Sequence, residues 1–215
     1  MSERSEPHSK SDRLVVDLFV EDRAHEEFLK PLVTRIAGED GIDLWARVRS
    51  ATGGHARALA EFKLYQRIVA LSASTAVAAD LVVVAIDGNC STFADARKRL
   101  HDAAAPSLRD RIVVACPDPH VERWYVADPQ SFATVVGSHP DVGSKKCVRD
   151  HYKRILTTAI ARGGHPVILG GVEFAAELVA AMDVYRAGRN DSSLKAFVDD
   201  FRAGLRRAPR RTEET

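Results

Sequence analysis

Six apolar residues, Leu81-Val82-Val83-Val84-Ala85-Ile86, run without a polar break and stop at Asp87-Gly88. An unbroken apolar run of this length predicts a strand buried on both faces, as in a parallel sheet. Residues 14–20 predict an earlier strand that ends at Glu21-Asp22, with Asp17 interrupting it and leaving one face or edge less buried. Residues 44–50, alternating through Leu44, Ala46 and Val48, predict a second strand, and residues 111–116 a fourth. Helical spacing falls between them. Phe28, Leu29, Leu32, Val33 and Ile36 mark a helix over 24–37, with Glu26 and Glu27 in its first turn and Pro31 inside, where it kinks or limits the helix. Leu59, Phe62, Ile68 and Val69 mark one side of a helix over 56–71, and residues 93–105 form a charged amphipathic helix ended by Pro106.

This alternation predicts an α/β domain over residues 13–135, with a largely parallel, doubly wound central sheet flanked by helices. The last third reads as a helical extension over 136–205. There, Ile168-Leu169-Gly170-Gly171 turns into a helix holding Phe174, Leu178 and Val179, and another helix covers 193–205. Residues 1–12 are polar, and 206–215 are basic with an acidic end; both are expected to be flexible tails.

Composition changes the picture little. The 215 residues carry a formal net charge of +1, so whole-chain charge argues neither for nor against nucleic acid. Locally, Lys145, Lys146, Arg149, Lys153 and Arg154 stand against a single acid, Asp150. Such a run is either a solvated face or a set of phosphate contacts. No apolar run approaches a membrane span, and the N-terminus is polar. Cys90, Cys116 and Cys147 form an odd, widely spaced set without a zinc spacing, which suits a reducing cytoplasm.

Candidate chemistry gathers where the strands end. Parallel strands bring their carboxyl ends to one rim, and Glu21, Asp87 and Glu122 all fall at or just beyond such ends. Hard divalent cations prefer carboxylate oxygens, so the three acids point to Mg²⁺ or Mn²⁺. A cation there can polarise a phosphate and stabilise a leaving oxygen. Each acid also has a plainer role. Asp87 can cap the helix beginning near Ser91, and Glu122 can be a first-turn helix acid with Trp124 and Tyr125 packing in the core. Gly53-Gly54 is a tight turn or an anion-binding loop. Cys90 and Cys116, with His120 near, are small buried hydrophobes or a transition-metal set.

The stretch 20–29, the Asp87-Gly88-Asn89 turn and Pro117-Asp118-Pro119-His120-Val121-Glu122-Arg123-Trp124-Tyr125 resemble TOPRIM-like bacterial proteins of uncharacterised function. These are similar to the TOPRIM domain of overcoming-lysogenization-defect (OLD) nucleases. The resemblance covers roughly residues 14–128. It implies a TOPRIM/Rossmann-like fold and a metal-dependent nuclease in which Glu21 and Asp87 hold Mg²⁺ or Mn²⁺, with Asn89 and Glu122 as further ligands. Lys146, Arg149 or Lys153 would then stand near the scissile phosphate, and Lys145 to Arg154 along the nucleic acid, most naturally DNA. It further implies an ATPase of the ABC or AAA class as partner, in DNA repair or phage defence; this chain has no Walker A pattern of its own. The sequence departs from the family at Asp22, in place of glycine, at Ala24-His25, in place of Thr-Glu, and at Asn89, in place of a second aspartate. Two other readings stand beside the nuclease: a catalytically degenerate TOPRIM-fold binding or regulatory subunit, and a small-molecule phosphohydrolase.

Overall fold

A computed structural model describes residues 13–49, 53–72, 78–143, 145–148 and 150–209. Four strands, β1 (Leu14–Val20), β2 (Leu44–Val48), β3 (Leu81–Ala85) and β4 (Ile112–Ala115), form a sheet in the order β2-β1-β3-β4. Each neighbouring pair is parallel, with Val20 of β1 opposite Ala85 of β3. The α/β class and parallel sheet expected from the hydrophobic pattern are what the chain forms. Ser50, expected to end the second strand, lies outside the described residues, as do 51–52, 1–12 and 210–215.

The pleat divides the strand side chains between two hydrophobic clusters. Val16, Leu18, Val83, Ala85, Val113 and Ala115 face α1 (Arg23–Glu39) and the C-terminal helices. Phe19, Val82, Val84, Ile112 and Val114 face α2 (His55–Leu71) and α3 (Phe93–Asp102). After β4 the chain continues through α4 (Glu122–Tyr125), α5 (Pro129–Val136), α6 (His151–Arg162), α7 (Ala175–Ala181), α8 (Val184–Asn190) and α9 (Ser192–Arg207). The first cluster runs without a break from the sheet into Leu156 of α6, Leu178 of α7 and Phe197 of α9.

Phe28, Leu29, Leu32, Val33 and Ile36 of α1 are fully buried, and Pro31 sits inside an unbroken helical span. The apolar side expected for α2 holds for Phe62 and, packed at its margin, for Leu59 and Val69, but Ile68 is exposed, with Leu64 and Leu71 beside it on the outer face. The inward stripe is instead Ala58, Phe62 and Tyr65. Asp17 does not open a face of β1. It is fully buried, and Arg47 of β2 grips both its oxygens at 2.6 and 2.9 Å. A buried carboxylate needs such a partner, and the two-pronged geometry of arginine provides it.

Trp124 and Tyr125 are buried in the core, and their polar ends reach Ser193 Oγ and the Ala24 carbonyl, both at 2.8 Å. They fasten the segment after β4 to the ends of α9 and α1. The order β2-β1-β3-β4 means that the chain leaves β1 to one side and returns to the other. The direction in which the chain progresses across the sheet therefore reverses between β1 and β3, and beyond their carboxyl ends open α/β sheets leave a crevice for ligands.

Candidate metal centre

Glu21 follows β1 directly, and its main-chain N–H continues the ladder to the Ala85 carbonyl at 3.1 Å. Asp87 lies just beyond β3, and its N–H donates to Glu21 Oε2 at 3.0 Å. The two acids predicted to share a rim thus flank the reversal point and are joined through one main-chain hydrogen bond. Gly88 makes the tight course of this loop possible. Its N–H donates to the Pro117 carbonyl at 2.8 Å, and a Cβ added there would come within 2.9 Å of that same oxygen.

The third member of the centre comes from the start of α1. Asp22 is the N-cap residue, and its Oδ1 accepts from the His25 N–H at 3.1 Å. The same oxygen stands 2.8 Å from His25 Nδ1. The ring is fully buried, and its Nε2 lies 3.1 Å from Asp87 Oδ1 without the angle of a hydrogen bond, leaving that nitrogen without a hydrogen-bond partner. Glu21, His25 and Asp87 each present a ligand atom within 4.8 Å of the others. Asp87 is also held from the β4 side: Oδ1 accepts from the Val121 N–H at 2.9 Å, and Oδ2 meets His120 Nδ1 at 3.0 Å.

Charge follows from these contacts. Burial opposes an imidazolium at His25, but the Asp87 carboxylate and the Asp22 hydrogen bond outweigh it and push the ring up to about 10. Burial likewise opposes charge on Asp87, yet His25 and His120 bring it down to about 2. The Asp87 hydrogen bond also raises His120. Burial, with the Asp87 charge adding to it, raises Glu21. Burial raises Glu122 as well. The His25 imidazolium therefore faces both Asp22 and Asp87.

The centre opens on a cleft of about 400 Å³ lined by Asp22, Asp87, Asn89, His120, Glu122 and Lys153, among others. Glu122 is the first residue of α4 and stands on the cleft wall, outside the group of three ligand atoms. Asn89, in a left-handed conformation (φ 53°), turns its amide nitrogen to the Asp87 carbonyl at 3.3 Å. The basic run divides. Lys153 faces the cleft, whereas Lys146 is tied to Asp118 at 2.6 Å. Lys145 and Arg154 line a separate groove with His151, and Arg149 lies outside the described residues.

The cysteine expectation is corrected. Cys90 is joined to Cys147 in a disulfide, which ties the Asp87 loop to the segment before α6. Cys116 is a buried free thiol that burial pushes up to about 12. No Cys90–Cys116–His120 set forms, and a disulfide departs from the all-thiol expectation. Among the described residues no helix is long and apolar enough to cross a membrane.

The acids were legible as strand ends; His25 and its hold on Asp22 were not. The available signal was Asp-x-x-His at a strand-to-helix junction, where a helix N-cap side chain meets the residue three positions later. The donor set suits a divalent cation: two carboxylates and one buried, unpartnered imidazole nitrogen converge beside a polar cleft. No family model, curated protein or solved structure matches this chain, so the centre stands on its own geometry.

Proposed function

We propose that the protein is a divalent-metal-dependent phosphodiesterase of TOPRIM type acting on nucleic acid. The observation that carries this reading is the convergence of Glu21, His25 and Asp87 at the reversal point of a parallel sheet, beside a cleft that also holds Lys153. Glu21 and Asp87 would hold Mg²⁺ or Mn²⁺. A cation held there supplies Lewis acidity toward a phosphate oxygen.

The chain's own residues supply the rest. Lys153 offers a positive charge to a phosphate entering the cleft. Glu122, whose carboxyl burial raises, lines the same cleft and would serve as the proton donor to a leaving oxygen. Asn89 contributes a neutral amide to the same wall, so the centre carries one negative charge fewer than an all-acidic set. The partner of this reading is DNA, with an ATPase of the ABC or AAA class acting beside it in repair or phage defence.

A second reading has an observation in its favour. Asp87 is already engaged by His25 and His120, which neutralise the cluster internally. That arrangement suits a catalytically degenerate TOPRIM-fold subunit. The deciding experiment incubates labelled single- and double-stranded DNA, RNA and a small phosphodiester with the protein in Mg²⁺, Mn²⁺ or chelator. The nuclease reading expects nucleic-acid cleavage that disappears in chelator and in Glu21→Gln and Asp87→Asn. Cleavage that survives both substitutions overturns the site. Turnover of the small ester alone moves the protein to the small-molecule phosphohydrolases. Absence of cleavage with intact metal binding favours the binding subunit.

A further inference from the structure

We propose that His25 is itself a metal ligand, through Nε2, and that the centre therefore selects a first-row transition cation such as Mn²⁺ over Mg²⁺. This inference rests on the cation-dependent reading above and narrows it.

Three features of the ring support ligation. His25 is fully buried, and its Nε2 meets Asp87 Oδ1 at 3.1 Å only as an ion pair, without the geometry of a hydrogen bond. That nitrogen points into the carboxylate pair, within the 4.8 Å spread of the Glu21 and Asp87 oxygens. Its opposite nitrogen, Nδ1, is held by Asp22 at 2.8 Å. A carboxylate on one imidazole nitrogen and a cation on the other is the usual arrangement of a ligating histidine. The carboxylate fixes the ring and makes the free nitrogen more basic. Asp22 is itself immobilised, because the same oxygen caps α1 through the His25 N–H. It is a positioning residue, and the cap sets the ring before any cation arrives.

Asp87 is prepared from its other side. His120 and the Val121 N–H hold its two oxygens at 3.0 and 2.9 Å, so the carboxylate is oriented by the turn between β4 and α4. On coordination the cation replaces the Nε2 proton, which leaves to solvent. The resulting set is one nitrogen and two carboxylate oxygens. Mg²⁺ favours oxygens and near-ideal octahedral geometry and keeps its waters, whereas imidazole suits first-row transition cations. A buried imidazole in the coordination shell therefore favours a first-row transition cation over Mg²⁺, and Mn²⁺, the weakest binder of that row, is the most stringent probe of the difference.

The test uses the full chain, stripped of metal, with Mn²⁺ and Mg²⁺ alone as probes. Calorimetry should give Mn²⁺ binding at least tenfold tighter than Mg²⁺. Pulsed electron paramagnetic resonance of the Mn²⁺-loaded protein should show ¹⁴N modulation that changes to the ¹⁵N pattern when histidine is ¹⁵N-labelled. This readout needs no substitution at a buried position. The modulation should persist in His120→Gln, persist in His55→Gln although the His55 ring stands 4.0 Å from Glu21, and vanish in His25→Gln. Asp22→Ser, which keeps a capping oxygen on a shorter side chain, should weaken Mn²⁺ by about 10–100-fold. Mn²⁺ binding without histidine modulation, or modulation lost in His120→Gln or His55→Gln, overturns the assignment while leaving the cation-dependent reading intact. Equal affinity for Mn²⁺ and Mg²⁺ overturns the selectivity. Failure of the wild-type chain to bind either ion removes the cation-dependent reading itself.

Discussion

Replacing Asp87 by asparagine keeps the shape of the side chain and removes the charge that faces His25 and His120, and the buried His25 ring reports the larger loss. In the metal-free protein Asp87 Oδ1 stands 3.1 Å from His25 Nε2. Taking the two charge centres about 4 Å apart and an effective dielectric near 20, the attraction is about 4 kcal/mol. That corresponds to roughly 3 pH units at the imidazole. His25 stands at about 10, against an ordinary value of 6.5. In Asp87→Asn it should titrate well below that, held up only by Asp22.

The sign of the stability change follows from the direction of the shift. A histidine raised in the folded state contributes stability that is full below its unfolded value, 6.5, and is lost as pH rises through about 10. The wild-type protein should therefore lose this contribution between those limits, whereas Asp87→Asn has almost none to lose. The destabilisation caused by the substitution should be a few kcal/mol near pH 6 and should shrink toward pH 10. The low value of Asp87, about 2, reports the same pair from its acidic side and is not added again. The assay is a ¹H–¹⁵N titration of the His25 ring in chelator, with denaturant unfolding at several pH values. A ring that stays charged above about pH 9 in Asp87→Asn would refute the reasoning. So would a destabilisation that does not change with pH.

Gly88→Ala should cost about 1–3 kcal/mol in denaturant unfolding, because its Cβ would press on the Pro117 oxygen at 2.9 Å and push the Asp87 loop outward. Arg186→Ala should lower the melting temperature, since it takes from Asp128 the guanidinium that binds both its oxygens at 2.6 and 2.8 Å; a thermal melt checks this. In the oxidised protein a thiol titration should find Cys116 alone, slow to alkylate until the chain unfolds. Reduction of Cys90–Cys147, which spans 57 residues, should lower stability by up to about 4 kcal/mol. Lys153→Ala should make the salt dependence of DNA binding shallower by roughly one, measured by fluorescence anisotropy in Ca²⁺, whereas Lys146→Ala, already paired with Asp118, should change it far less.

The sheet was legible because its strands are buried on both faces, so Leu81 to Ile86 carried an unbroken apolar run that no exposed element could carry. Glu21 and Asp87 were legible for a related reason: a charged residue that ends such a run marks the carboxyl rim. Ile68 was misassigned because apolar residues on two sides of α2 give the same local spacing, and only the sheet decides which side turns inward. Asp17 looked like an exposed edge because its partner, Arg47, is distant in sequence but adjacent across β1 and β2. The Cys90–Cys147 pair is likewise a long-range contact, without a local pattern. Lys146 and Lys153 looked alike within one basic run, yet Asp118 claims the first and the cleft receives the second.

The same distinction explains how His25 comes to stand at the centre. Asp22 lies immediately after Glu21, so one short stretch supplies both a candidate ligand and the cap of α1. The cap fixes where the helix begins, and the helix repeat then places the residue three positions on against the capping side chain. At that position a histidine presents one nitrogen to Asp22 and the other to the rim, whereas an alanine would leave Asp22 and Asp87 without the ring that joins them. Local sequence therefore determines the ring's orientation, but only the crossing from β1 over to β3 brings Asp87 to meet it. Moving the cap by one residue would turn the ring about 100° around the helix axis, away from Asp87. The centre depends on Asp22 as a helix start as much as on the acids that line it.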